Sequence, residues 1–159
     1  DRRYLLRRGR RPHKPMDLAE QRIVDQRAPG AQPVWKLAGV GSVGSQTLTG
    51  IPKVWALRRD PRLAFRTQIW PFETGLNYSA AGQIIFAEVY PSLFPVKEIP
   101  GKPKDAAQVL AVVKFLAALD QRGTLESLFR GDIALSETEK TVVEREEGWI
   151  LGVWGAFEK

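Results

Sequence analysis

Apolar positions in this chain fall into two periodicities. In residues 63–70, Phe65, Thr67 and Ile69 alternate with Arg66, Gln68 and Trp70, the period-2 signature of a strand that Pro71 must end. Residues 83–90, Gln-Ile-Ile-Phe-Ala-Glu-Val-Tyr, form a near-continuous apolar run. Such a run predicts a central strand covered on both faces, and Pro91 and Pro95 close it. From 104 to 119 the spacing changes to that of a helix. Val109, Val112, Val113, Leu116 and Leu119 form its expected buried stripe, and Gly123 stops it. Ser136 with Glu139 three residues on reads as a capping box, so a last helix should start there and run over 136–157. Val142, Val143, Trp149, Ile150, Val153, Trp154 and Phe157 would be its apolar face.

The rest is less regular. Residues 17–27 suit a short helix with Asp17 as cap, and 124–130 another. Residues 34–59 have a helical tendency broken by Gly39, Gly41, Gly44, Gly50 and Pro52. A bent or two-piece helix is expected, its second half running from about Pro52 to Arg59. The sum is an α/β layer, central strands about 63–70 and 83–90 covered by helices about 104–119 and 136–157. Two strands do not make a stable covered sheet. Either further strands hide in the first 60 residues, or the rest of the sheet lies outside this chain. The organisation expected is a Pro-containing lead-in over 1–32, then the carboxy-terminal part of one α/β domain over 33–159.

Composition excludes several chemistries. The 159 residues contain no Cys, which removes disulfides, thiolate catalysis and Cys-bound zinc, and fits a cytoplasmic protein. His13 is the single histidine, so His-based triads and His-rich zinc sites are excluded from the chain. No apolar run approaches the ~18 residues of a membrane helix, and residues 1–15 lack the apolar core of a signal peptide. No membrane partner is expected. The chain opens on Asp1 rather than Met, as a processed or truncated product would, and an amino-terminal half outside it could carry part of a site.

Charge is uneven. Arg2, Arg3, Arg7, Arg8, Arg10, Arg11 and Lys14 stand against Asp1 alone in residues 1–14, a net +6 that equals the whole-chain value. The other 145 residues sum to zero. The arm is therefore expected to dominate any salt-sensitive contact with nucleic-acid phosphates, although a solvated lead-in or a pairing with acidic surface elsewhere would look the same. Tyr4 is its one aromatic, so base stacking there is thin.

Gly39-Val40-Gly41-Ser42-Val43-Gly44 is a literal G-x-G-x-x-G, with Asp60 following. The dinucleotide fingerprint needs a strand before it and an acid ending the next strand. Here a short stretch precedes it and Asp60 sits in a turn, so close backbone packing is the expected role, with no dinucleotide bound. Ser42 and Ser45 could line a small anion-binding turn.

Without Cys or paired His, acid–base or metal chemistry falls to carboxylates. Glu88 interrupts an apolar strand and is expected to be mostly buried, which requires a partner. On a wheel of the last helix Glu146 lies near the middle of the apolar stripe and Glu147 at its edge. Each has two readings: a carboxylate that snorkels or meets Lys or Arg, or a ligand for Mg²⁺ or Mn²⁺. Glu73 reads more simply as a turn residue and Asp105 as a cap.

Phe86-Ala87-Glu88-Val89-Tyr90-Pro91-Ser92, Lys104-Asp105-Ala106-Ala107-Gln108-Val109 and Glu146-Glu147-Gly148-Trp149-Ile150-Leu151-Gly152 resemble the carboxy-terminal half of a family of bacterial proteins, the DUF429 group of predicted ribonuclease-H-like nucleases. Gly41 to Leu48 and Trp70-Pro71-Phe72-Glu73-Thr74-Gly75 are similar to motifs of the same group. The resemblance spans about Val34 to Gly152. It implies a ribonuclease-H-like sheet carrying acids on its first strand, a later strand and the last helix. Glu88 would take the late-strand place and Glu147 the helix place, since it precedes Gly148, whereas the wheel favours Glu146. The first-strand Asp motif and the second Asp motif are absent. What is implied is an incomplete Mg²⁺- or Mn²⁺-dependent nuclease, a hydrolase with Glu88, Glu146 and Glu147 as catalytic candidates and Glu88 and Glu147 as metal ligands. The alternative is a non-catalytic binding or scaffold module.

Overall fold

The structure, a computed structural model, describes residues 19–78 and 84–154. The basic arm, His13, Asp17 and Phe157 lie outside the described residues. The chain divides into two compact units, Asp1–Thr67 and Gln68–Lys159.

In the first unit, helix α1 spans Ile23–Arg27. Asp25, at its third position, accepts the Arg22 backbone N–H at 3.0 Å and the Arg22 side chain at 2.9 and 3.2 Å. That pairing lets a carboxylate sit buried beside Val24 and Ala28. Pro29 follows the Ala28 C-cap, whose backbone is extended, and prevents the helix from continuing. Helix α2 spans Val43–Arg58 as one piece with Pro52 inside it, not the broken helix over 34–59 that the glycines suggested. The glycines act earlier: Gly39 and Gly41 take φ of +84° and +72°, a left-handed backbone that a helix cannot use. Residues 34–42 are turns and loop instead, and among the described residues no strand precedes the Gly-rich segment.

Gly44 has the close-packing role expected of it. Its N–H donates to the Lys36 carbonyl at 3.0 Å. A Cβ there would run into the Val34 carbonyl oxygen and lie 2.7 Å from Leu37 Cδ2. After α2, Asp60 accepts from the Arg62 backbone and side chain at 2.8–3.0 Å.

Strand β1 covers Thr67–Ile69 and β2 covers Ile84–Phe86, and they pair in a two-stranded parallel sheet. Both are shorter than the sequence suggested. Ala64–Arg66 coil into a 3-10 turn instead of extending, with the Thr67 hydroxyl donating to the Leu63 carbonyl at 2.7 Å. Beyond β2, Glu88 makes an isolated parallel bridge with Ile150.

Helix α3, Lys104–Gln121, is where the spacing placed it, running two residues further. Its expected stripe is only partly the face it buries: Val112 is buried and Leu116 and Leu119 are half-buried, but the other two members are not. Ala107 and Val112 are buried, while Val109 is 61% and Val113 56% exposed. The helix packs on the 3-10 turns Pro91–Leu93 and Leu125–Arg130 rather than across a sheet, and Phe115 meets Phe94 at 5.0 Å between ring centroids. Narrow turns cover a narrower side of a helix than a sheet would. Asp105 lies in the first turn but is not the cap, a place held by Pro103.

The last helix is cut short. The capping box is formed: Ser136 Oγ accepts from the Glu139 N–H, and Glu139 accepts from the Ser136 N–H at 2.8 Å. Helix α4 then spans only Glu137–Val142, and a π turn, Val143–Glu147, follows. Gly148, with φ +75° and ψ −178°, ends it. Trp149, Ile150, Leu151 and Val153 are all buried. Four nearly consecutive apolar side chains cannot all lie on one helical stripe, so the chain leaves the helix and becomes the core itself. Trp70, Leu76, Leu128, Phe129, Leu135 and Val143 complete that core. Among the described residues no helix is long and apolar enough to cross a membrane.

Candidate functional site

The three candidate carboxylates belong to one neighbourhood of the second unit. The Leu151 N–H donates to the Glu88 carbonyl at 2.9 Å, and Glu88 and Ile150 lie side by side in the parallel bridge. Glu147 is three residues before Ile150, a reach of at most about 10 Å of chain. The backbone of Glu88 is thus paired with the buried segment that follows the π turn, while Glu146 and Glu147 lie on the π turn itself.

Their side chains are less enclosed than the sequence suggested. Glu88 is exposed, not buried. Among the described residues the sheet has no outer strands to cover Glu88, and β2 has ended by Phe86. Glu146 is exposed as well, and Glu147 is half-buried. The wheel that put Glu146 at the centre of an apolar stripe assumed a helix to 157; with the helix stopped at 147 that stripe does not exist. Among the described residues there is no group of three or more His, Cys, Asp or Glu placed to hold a metal ion. The donor chemistry of Glu88 and Glu147 suits a hard cation that keeps several waters, but the set is two carboxylates where a dedicated ion site uses more.

The acid that organises this region is one the sequence reading passed over. Glu144 Oε1 accepts the Leu76 N–H at 2.8 Å and lies against Gly75. It pins the loop after β1 to the π turn. The loop Trp70–Leu76 contains Pro71 and makes few ladder bonds, so its N–H groups need outside acceptors. Nothing in the sequence selected Glu144 over its acidic neighbours for that task. Glu144→Ala is expected to destabilise the second unit by about 1–3 kcal/mol by stranding that N–H, while Glu144→Gln, which keeps an acceptor oxygen, costs less; urea denaturation followed by circular dichroism measures both.

Glu73 is a turn residue, as expected. Its Oε2 accepts the Ile69 N–H at 2.6 Å while its own N–H donates to the Ile69 carbonyl at 2.9 Å. Asp132 is buried, with Oδ1 accepting the Ala134 N–H at 2.8 Å, which shapes the turn before α4.

Fold and site together define a mixed α/β protein whose described sheet is a single pair of parallel strands. Compared with protein-family models, curated proteins and solved structures, the chain matches none.

Proposed function

We propose that the chain is the carboxy-terminal part of a ribonuclease-H-like domain that performs metal-dependent phosphoryl transfer, and that its own acids are only part of the site. The observation that supports this reading is the parallel bridge between Glu88 and Ile150, which pairs the backbone of Glu88 with the segment that follows Glu146 and Glu147. Acids on a late strand and on the last helix are the arrangement the motif resemblance implies. Glu88 and Glu147 would hold Mg²⁺ or Mn²⁺. Such an ion would polarise a phosphoryl oxygen and lower the pKa of an attacking water. The protein's part is to hold the carboxylates at the handover from π turn to core, with Glu144 and Gly148 fixing that turn. The basic arm would hold the phosphate backbone.

A second reading is a binding or scaffold module with the same fold and no activity. The exposure of Glu88 and Glu146 favours it, since catalytic carboxylates are usually enclosed. Hydrolysis of labelled oligonucleotides with Mn²⁺ or Mg²⁺ separates the two. Residues 1–159 alone should show little or no activity. A longer chain supplying the upstream strands should gain metal-dependent cleavage, and Glu147→Gln or Glu146→Gln should remove it. Full activity of residues 1–159, or indifference of the longer chain to both substitutions and to chelator, would sink the phosphoryl-transfer reading.

A further inference from the structure

The neutral sum outside the basic arm hides a segregation. The unit ending at Thr67 carries 15 Lys and Arg against 5 Asp and Glu, and the unit from Gln68 carries 9 against 13. Beyond residue 14, the whole positive excess of the first unit lies in Lys53–Arg66. There Lys53, Arg58, Arg59, Arg62 and Arg66 face one acid, Asp60.

These cations are interleaved with exposed aromatic surface. Trp55 is 56% and Phe65 80% exposed. Arg58 Nη1 donates to the Ala64 carbonyl at 3.1 Å, tying the Ala64–Arg66 turn back to the end of α2. Phe65 therefore lies at the same end of the helix as Trp55. The Arg59 guanidinium sits over the Trp55 ring, 5.3 Å from its centroid. Asp60 is engaged by Arg62, whose hydrogen bonds hold its carboxyl down at about 2.

We infer that Lys53–Arg66 is a docking surface for single-stranded nucleic acid, its cations meeting phosphates while Trp55 and Phe65 stack on bases. Four of the five cations are Arg, which pairs phosphate oxygens bidentately and stacks on planar rings as Lys does not. Exposed aromatic faces find base faces in a single strand, whereas in a duplex those faces are already stacked. The expectation that the arm dominates nucleic-acid affinity is thereby narrowed: the arm would supply charge, and this surface would supply charge and stacking.

The test is fluorescence anisotropy of a short labelled oligo-dT with the full chain in EDTA. Trp55→Ala and Phe65→Ala are each expected to weaken binding at least about fivefold. Lys53→Gln with Arg59→Gln is expected to lower the slope of log K against log salt by about 1.4. Both aromatics are exposed, so the variants should keep the wild-type circular dichroism. Unchanged affinity in both aromatic variants overturns the proposal and leaves the arm as the sole contact. Tighter binding to the matching duplex overturns it too. So does aromatic-dependent binding to phosphatidylserine vesicles with none to the oligonucleotide, which would make this a lipid-facing surface. With EDTA present and no cleavage read, failure here leaves the phosphoryl-transfer reading standing, and the reverse holds as well.

Discussion

Trp149→Ala is expected to cost the second unit about 3–5 kcal/mol, a large part of the stability of any domain of this size. Trp149 is 1% exposed, and its Nε1–H donates to the Val153 carbonyl at 2.7 Å. Truncation removes the largest side chain of the buried segment, opens a cavity beside Ile150 and Val153, and strands a buried carbonyl. Trp149→Phe separates the effects: most of the volume stays while the hydrogen bond goes, so the loss should fall to about 1–3 kcal/mol. Urea titrations by far-ultraviolet circular dichroism measure both. Equal losses in the two variants would mean that the hydrogen bond, not the packing, dominates.

Gly148→Ala is the second large effect, at about 2–4 kcal/mol. With φ +75° and ψ −178°, this residue occupies a backbone region that is essentially reserved for glycine and costs other residues about 1–3 kcal/mol. A Cβ would also lie 3.1 Å from Phe72 Cζ. Phe72 is half-exposed and can swing aside, so backbone strain supplies most of the loss. The substitution should leave the π turn to compete with a continued helix, a change visible as a gain in helical signal before unfolding. Stability within 0.5 kcal/mol of wild type, a change typical of surface substitutions, would show that the turn relaxes at no cost.

Local signals in the sequence located much of this structure. The Ser136–Glu139 capping box, the start of α3, the stop at Gly123 and the apolar core of β2 all depend on neighbours within a few residues, and all are where they were expected. The errors share a cause. Helical spacing was extended through Trp149, Ile150 and Val153, because a run buried on every side satisfies a helical stripe and an extended segment equally well. The period of α3 was read as facing a sheet, and its actual supports are two 3-10 turns. Burial of Glu88 was inferred from its apolar neighbours, yet burial depends on how many strands flank it, a long-range quantity. For the candidate site, the acids were named from the pattern and the resemblance, and the Glu88–Ile150 bridge is a pairing that no local window contains. Glu144 was missed for the same reason: its partner, Leu76, is distant in sequence.

The handover at Gly148 also orders events during synthesis. The segment Trp149–Val153 closes onto residues made much earlier: Leu151 bonds to Glu88, and Gly152 to the Leu128 carbonyl at 3.2 Å. Until the ribosome has delivered Val153, the backbone at Glu88 and Leu128 lacks these partners. The second unit is therefore a late closer, exposed to chaperones and to self-association for most of its elongation, whereas Val24, Ala28 and Gly44 of the first unit can find their partners while the rest is still being made.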